Sequence, residues 1–137
     1  MKKIFVASAF CIFSNSVSAQ SVEIWAEGAG NPYAPYSKVC LITFSATNTS
    51  NQTINFIQKV NLYDRNRYFI SSKDMPFSNL RPRQTGSINI HIENTSCDEI
   101  SSIVARETWN CQVNGEYTQG CPIMPYFPSK GAMRINR

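Results

Sequence analysis

Cysteine is the residue type in this chain whose number and spacing define a chemistry. Cys11 lies in an N-terminal apolar run, and Cys40, Cys97, Cys111 and Cys121 follow at spacings of 57, 14 and 10 residues. Four cysteines in an exported domain of this size read as two disulfides. Zinc would want close cysteine pairs or nearby histidines, and these spacings offer neither. There is no Cys-x-x-Cys redox pair, and a catalytic thiol needs a partner base, for which His91 is the only imidazole. Four cysteines allow three connectivities. The strand pattern below favours Cys40–Cys97 with Cys111–Cys121.

The other reactive side chains form no pattern. One histidine excludes any mechanism or metal site that needs two. There is no Gly-x-Ser-x-Gly, no P-loop, no Gly-x-Gly-x-x-Gly and no acidic calcium loop. Asp98-Glu99 is the only adjacent acidic pair, and nothing selects two of the nine acids as a glycosidase pair. The sequence therefore points away from an enzyme, and no catalytic residue, cofactor or metal is expected. A formal charge of +4 is too small to imply nucleic acid. A charged fraction of 16% beside 12% aromatics argues against disorder.

The N-terminus reads as an address. Met1-Lys2-Lys3 is basic, 4–13 is apolar, and Val17 and Ala19 occupy the −3 and −1 positions of a signal peptidase site. The apolar run is too short for a bilayer, which takes roughly 20 residues. Residues 1–19 are thus expected to be a cleaved secretory signal and 20–137 a single mature domain. Losing Lys2 and Lys3 takes the bases from 13 to 11 against nine acids, a mature charge of about +2. No second apolar stretch reaches membrane length, so membrane insertion is not expected. The destination is the periplasm or the exterior, and the short basic start looks bacterial.

The elements that must position the cysteines read as short strands. Residues 22–27 form a first strand, and glycines and prolines break the stretch 28–36. In 38–48 two faces interleave, with Cys40, Ile42, Phe44 and Ala46 inward. Residues 54–63 alternate again, with Ile54, Phe56, Gln58, Val60 and Leu62 in one row. A short strand at 68–72 precedes a crossing loop at 73–84 that carries Pro76 and Pro82. Residues 87–93 put Ile88, Ile90 and Ile92 inward and His91 toward solvent. In 99–107 Ile100, Ile103 and Val104 suit a helical face and Ile103 and Ala105 a strand; a strand over 100–113, through Trp109, is favoured, Asn114-Gly115 is a hairpin turn signal, and 116–119 return. The proline-bearing tail 122–137 either adds an edge strand near Tyr126 or lies over the domain.

About seven short strands without a long helix predict an all-β fold, an immunoglobulin-like or fibronectin type III-like β-sandwich with two disulfides. In such a sandwich the second strand and the 87–93 strand are antiparallel neighbours. Cys40 then lies beside Cys97, and Cys111 and Cys121 flank the last hairpin. A strict two-residue turn would set Cys111 opposite Thr118, so either the hairpin bulges or Cys121 has left the ladder. Loops of about 58 and 11 residues closed this way contribute roughly 4 and 3 kcal/mol as upper figures.

Surface features point to binding. Residues 59–83 carry Lys59, Arg65, Arg67, Lys73, Arg81 and Arg83 against Asp64 and Asp74. Residues 93–116 carry five acids against Arg106. Such a dipolar surface orients a partner. Two aromatic–proline segments, around Tyr33 and Tyr36 and around Tyr126 and Phe127, offer rigid contact area. The candidate partner-facing residues are Tyr33, Tyr36, Arg65, Arg67, Arg81, Arg83, Tyr126 and Phe127. An N-terminal strand followed by the Gly/Pro stretch 28–36 is also an element that two copies can exchange, giving a homodimer.

The segment Trp-Ala-Glu-Gly-Ala-Gly-Asn-Pro-Tyr-Ala-Pro-Tyr at 25–36, the size after cleavage and the four cysteines together resemble the interleukin receptor mimic family of pathogenic Escherichia coli. The resemblance covers the whole mature chain. It implies a secreted, non-enzymatic, fibronectin type III-like module that forms dimers and binds host interleukins. The chain lacks the Trp-Ser-x-Trp-Ser motif of true cytokine receptors, so no receptor contact residues carry over. The rival expectation is a periplasmic inhibitor or accessory factor, of a lysozyme or in pilus assembly.

Overall fold

A computed structural model describes residues 21–30 and 38–137. The expected signal segment and the tyrosines Tyr33 and Tyr36 lie outside the described residues. Within them the chain forms nine strands and no α-helix: β1 (Val22–Gly30), β2 (Val39–Asn48), β3 (Ile54–Tyr63), β4 (Phe69–Leu80), β5 (Thr85–Glu93), β6 (Ser102–Val113), β7 (Glu116–Tyr117), β8 (Pro125–Tyr126) and β9 (Ile135–Asn136). A single 3₁₀ turn, Cys97–Glu99, separates β5 from β6.

The strands make two sheets. The first has the order β5-β2-β1-β8, and the second β4-β3-β6-β7 with β9 also paired to β6. Alternation along each strand decides what faces inward, because successive side chains point to opposite sides of a sheet. Val22, Ile24 and Ala26 of β1 and Cys40, Ile42, Phe44 and Ala46 of β2 have no exposed surface. Ile54, Phe56, Val60 and Leu62 of β3 and Met75, Phe77 and Leu80 of β4 are equally buried in the second sheet. All join one apolar cluster between the sheets. The Phe56 and Phe77 rings meet with centroids 5.3 Å apart. Each such large apolar side chain contributes about 1.5–3 kcal/mol through burial.

The structure corrects the sequence expectations in four places. The strand count is nine rather than about seven, because the tail contributes β8 and β9 and holds both sheets. The expected crossing loop at 73–84 is mostly strand, since β4 runs unbroken to Leu80. Pro76 is accommodated because β4 is an edge strand, paired on one side only, where a missing N–H is tolerated. β1 continues through Gly28 to Gly30, where it pairs with Cys40. Gly28 is closely packed there: a Cβ would press on the Met133 side chain and on the sulfur of Cys97, and these would have to shift. The return strand after Asn114-Gly115 is two residues long, not four.

β6 adds a feature on which the sequence reading was silent. Ile57 pairs with Trp109 and Asn55 with Gln112, while Gln58 pairs with Thr108 and Val60 with Ala105. Each shift inserts one extra residue on β6, which is a β-bulge. The bulge at 106–107 turns Trp109 to the outer face. The second, where Asn110 has φ 57°, returns Cys111 to the core. Buried Gln58 pins the first bulge. Its Nε2 donates to the Arg106 carbonyl at 2.9 Å, and its Oε1 accepts from Thr108 Oγ1 at 2.6 Å.

Candidate functional site

Cys40 is bonded to Cys97 and Cys111 to Cys121. Cys40 pairs across the first sheet with Ile92, and the 3₁₀ turn just after β5 brings Cys97 back over it. The last hairpin is a strict two-residue turn: Asn114 and Gly115 both have positive φ, and Val113 pairs with Glu116. Thr118 N accordingly donates to the Cys111 carbonyl, and Cys121 bonds from outside the ladder after a turn at Gly120. Two disulfides fit an oxidising, exported compartment.

The β3–β4 turn, residues 64–68, is a tight and heavily bonded loop. Asp64 Oδ1 accepts from the backbone N–H of Asn66 at 2.8 Å and of Tyr68 at 2.9 Å. Arg67 N donates to the Asp64 carbonyl, and Asp64 N to that of Tyr68. Arg67 takes a left-handed conformation, φ 66°. With the backbone so held, the side chains of Arg65, Asn66, Arg67 and Tyr68 are left to solvent. Tyr68 is 70% exposed and Phe69 58%. Phe69 meets the ring of Tyr63 edge-on at 6.1 Å. These two exposed aromatics were not legible as contacts, because in sequence they only open a strand.

Beside this turn lies the link between β5 and β6. Asp64, Arg65, Asn66, Asp98 and Glu99 line a hollow of about 440 Å³. Arg65 Nη2 reaches the Asp98 carbonyl at 3.5 Å. Lys38 Nζ lies 2.5 Å from Glu99 Oε1. Their hydrogen bond lowers the Glu99 pKa and raises that of Lys38. Asp98 is also lowered, chiefly by a hydrogen bond from the Ser96 side chain. The hollow thus carries fixed charges of both signs.

The structure separates the other expected contact residues. All six basic residues of 59–83 follow β3, β4 and their turns, but Arg65 and Arg67 sit at one end of β4 and Arg81 and Arg83 at the other. Twelve residues of strand set those ends roughly 35 Å apart. Arg83 works inside the fold: its Nη1 donates to the carbonyls of Thr49 at 3.1 Å and Ser50 at 3.0 Å. Tyr126 is 37% exposed on β8, beside Glu23 of β1. Phe127 packs against the core, with the Arg137 guanidinium 5.5 Å from its ring centre. His91 is exposed on β5 opposite Leu41. Among the described residues no group of three or more His, Cys, Asp or Glu side chains converges as a metal site, and no helix is long and apolar enough to cross a membrane.

Comparison with protein-family models, with curated proteins and with solved structures gives no match for the chain.

Proposed function

We propose that this chain is an exported, non-enzymatic binding module that engages a host immune protein, interleukins being the class that the resemblance names. The observation that carries the reading is the exposed pair Tyr68 and Phe69 on a rigid turn, flanked by Arg65 and Arg67. Aromatic and arginine side chains dominate the energy of protein interfaces. A turn already fixed by its own hydrogen bonds loses little entropy on docking. The fibronectin type III-like assignment belongs to the same proposal. Its support is the strand order, with β5-β2-β1 in one sheet and β4-β3-β6-β7 in the other.

The test is biolayer interferometry of the oxidised protein against interleukins, lysozymes and unrelated controls. Saturable binding to an interleukin is expected. The Tyr68→Ala/Phe69→Ala double variant should weaken it at least about thirtyfold, each aromatic hot spot being worth 1–2 kcal/mol or more. No interleukin binding by a folded sample, or binding indifferent to that double variant, overturns the reading. Binding to a lysozyme or an assembly subunit instead would put the inhibitor or accessory role in its place. A homodimer formed by exchange of β1 belongs to the proposal as well, and light scattering after gel filtration tests it.

A further inference from the structure

The outer face of the first sheet has a charge pattern that the β3–β4 turn does not share. β1 sends Glu23, Trp25 and Glu27 outward, β2 sends Leu41, Thr43, Ser45 and Thr47, and β5 sends Asn89, His91 and Glu93 among others. These three strands contain three carboxylates and no lysine or arginine. Three rungs of polar side chains cross from β2 to β5: Thr43 to Asn89 at 2.8 Å, Ser45 to Ser87 at 2.9 Å and Thr47 to Thr85 at 2.6 Å. A hydroxyl that makes one such bond still has lone pairs to offer, and ionised carboxylates only accept. The strands therefore give the face negative charge, set among hydroxyl and amide groups that both donate and accept.

One cation does sit on it, and it comes from the tail. Lys130 Nζ lies 3.8 Å from the centre of the Trp25 ring and 2.6 Å from Glu23 Oε1. The ring's negative face and a carboxylate together make a small cage for an ammonium group. The tail reaches this place because it hugs β1. Gly131, with φ 90°, lies so close to the Ala26 carbonyl that a Cβ would collide with it, and Met133 N donates to the same oxygen at 3.1 Å. Lys130 itself remains half exposed, at 50%, so the cage opens to solvent.

We propose that this face is a docking site for a lysine-bearing basic segment of a partner protein, and that Lys130 is a tethered surrogate for the partner's ammonium. The argument is charge complementarity: the charges that the three strands bring to the sheet are carboxylates, and the Lys130 ammonium shows how another would be held. Displacing Lys130 from Trp25 and Glu23 opens the cage. The neighbouring hydroxyl ladder then accepts hydrogen bonds from the incoming chain. This inference does not rest on the β3–β4 turn or on interleukins.

The test uses the oxidised protein and a fluorescein-labelled peptide of alternating lysine and glycine, read by fluorescence anisotropy. Lys130→Met keeps the aliphatic stem and removes the competing charge. It should tighten peptide binding about fivefold, the size of one exposed cation–π contact. Adding Trp25→Leu or Glu23→Gln to that variant should reverse the gain, and an Nε-acetylated peptide should bind neither form. Phe69→Ala should leave peptide binding unchanged, which separates this site from the turn. In a Trp109→Phe background, Trp25 emission should respond to the peptide. If Lys130→Met lowers the melting temperature without any gain in peptide affinity, Lys130 only fastens the tail and the proposal is overturned. Equal peptide binding with and without Trp25 overturns it as well.

Discussion

Asn48 and Gln58 are polar side chains inside an apolar core, and both have their hydrogen-bonding groups engaged. Asn48 Nδ2 donates to the carbonyls of Gln52 at 2.7 Å and Leu80 at 2.8 Å, while its Oδ1 accepts from Ser50 N and Ser50 Oγ. It thereby ties the β2–β3 loop to the end of β4. Replacing it takes this partner from the buried Leu80 carbonyl and from the Ser50 N–H. Asn48→Ala is expected to lower the unfolding free energy by about 3 kcal/mol, seen as a fall in the urea midpoint at constant slope. Gln58 does the same for the bulge in β6. Gln58→Leu should cost about 2 kcal/mol and alter the environment of Trp109, which near-ultraviolet circular dichroism reads. Gln58 was legible as an inward position from the alternation of β3. Its partners, at the far side of a bulge on β6, were not.

At the scale of elements, turns and end links set how the strands meet. Asn114 and Gly115 both have positive φ, and a Cβ on Gly115 would meet open space. The cost of Gly115→Ala is therefore backbone strain alone, about 1 kcal/mol, and thermal unfolding measures it. The β5–β6 link is held by Lys38 and Glu99. The lowered pKa of Glu99 means that its contribution is present above its ordinary value of 4.5 and is lost as pH falls through the depressed folded value. The raised pKa of Lys38 means that its share is present below 10.5 and is lost as pH rises through the elevated folded value. The melting-temperature gap between wild type and Glu99→Gln should be flat between those limits and close at both ends. Both groups are exposed, so the gap is small and shrinks with salt.

For the molecule as a whole, covalent links and the distribution of charge matter most. Replacing Cys40 and Cys97 by serine should cost up to about 4 kcal/mol, and replacing Cys111 and Cys121 up to about 3 kcal/mol. Against a total stability of about 5–15 kcal/mol for a single domain, losing both should remove a large share of it, read as a steep fall in the urea midpoint by far-ultraviolet circular dichroism. The two arginine pairs stand at opposite ends of β4, so a partner docked on the β3–β4 turn is centred on Arg65 and Arg67. Arg65→Glu/Arg67→Glu should slow association with an acidic partner and flatten its salt dependence, while Arg81→Glu leaves both unchanged. Stopped-flow or interferometric on-rates at two ionic strengths decide this.

The sequence by itself determined the all-β class, the inward rows of β2 and β5, the alternating row of β3, and the hairpin at Asn114-Gly115. Period-two alternation and a strong turn pair are local signals, so no distant residue is needed to read them. Tertiary structure decided the rest. Pro76 breaks a strand on local rules, and only its place on a sheet edge lets β4 continue. Trp109 shares the parity of inward Ile103, and only a bulge pinned by Gln58, about fifty residues earlier, turns it outward. Lys130 reads as a tail charge until β1 places Trp25 and Glu23 beneath it. Each of these depends on which strand lies alongside, a relation between residues far apart in the chain that local periodicity does not carry.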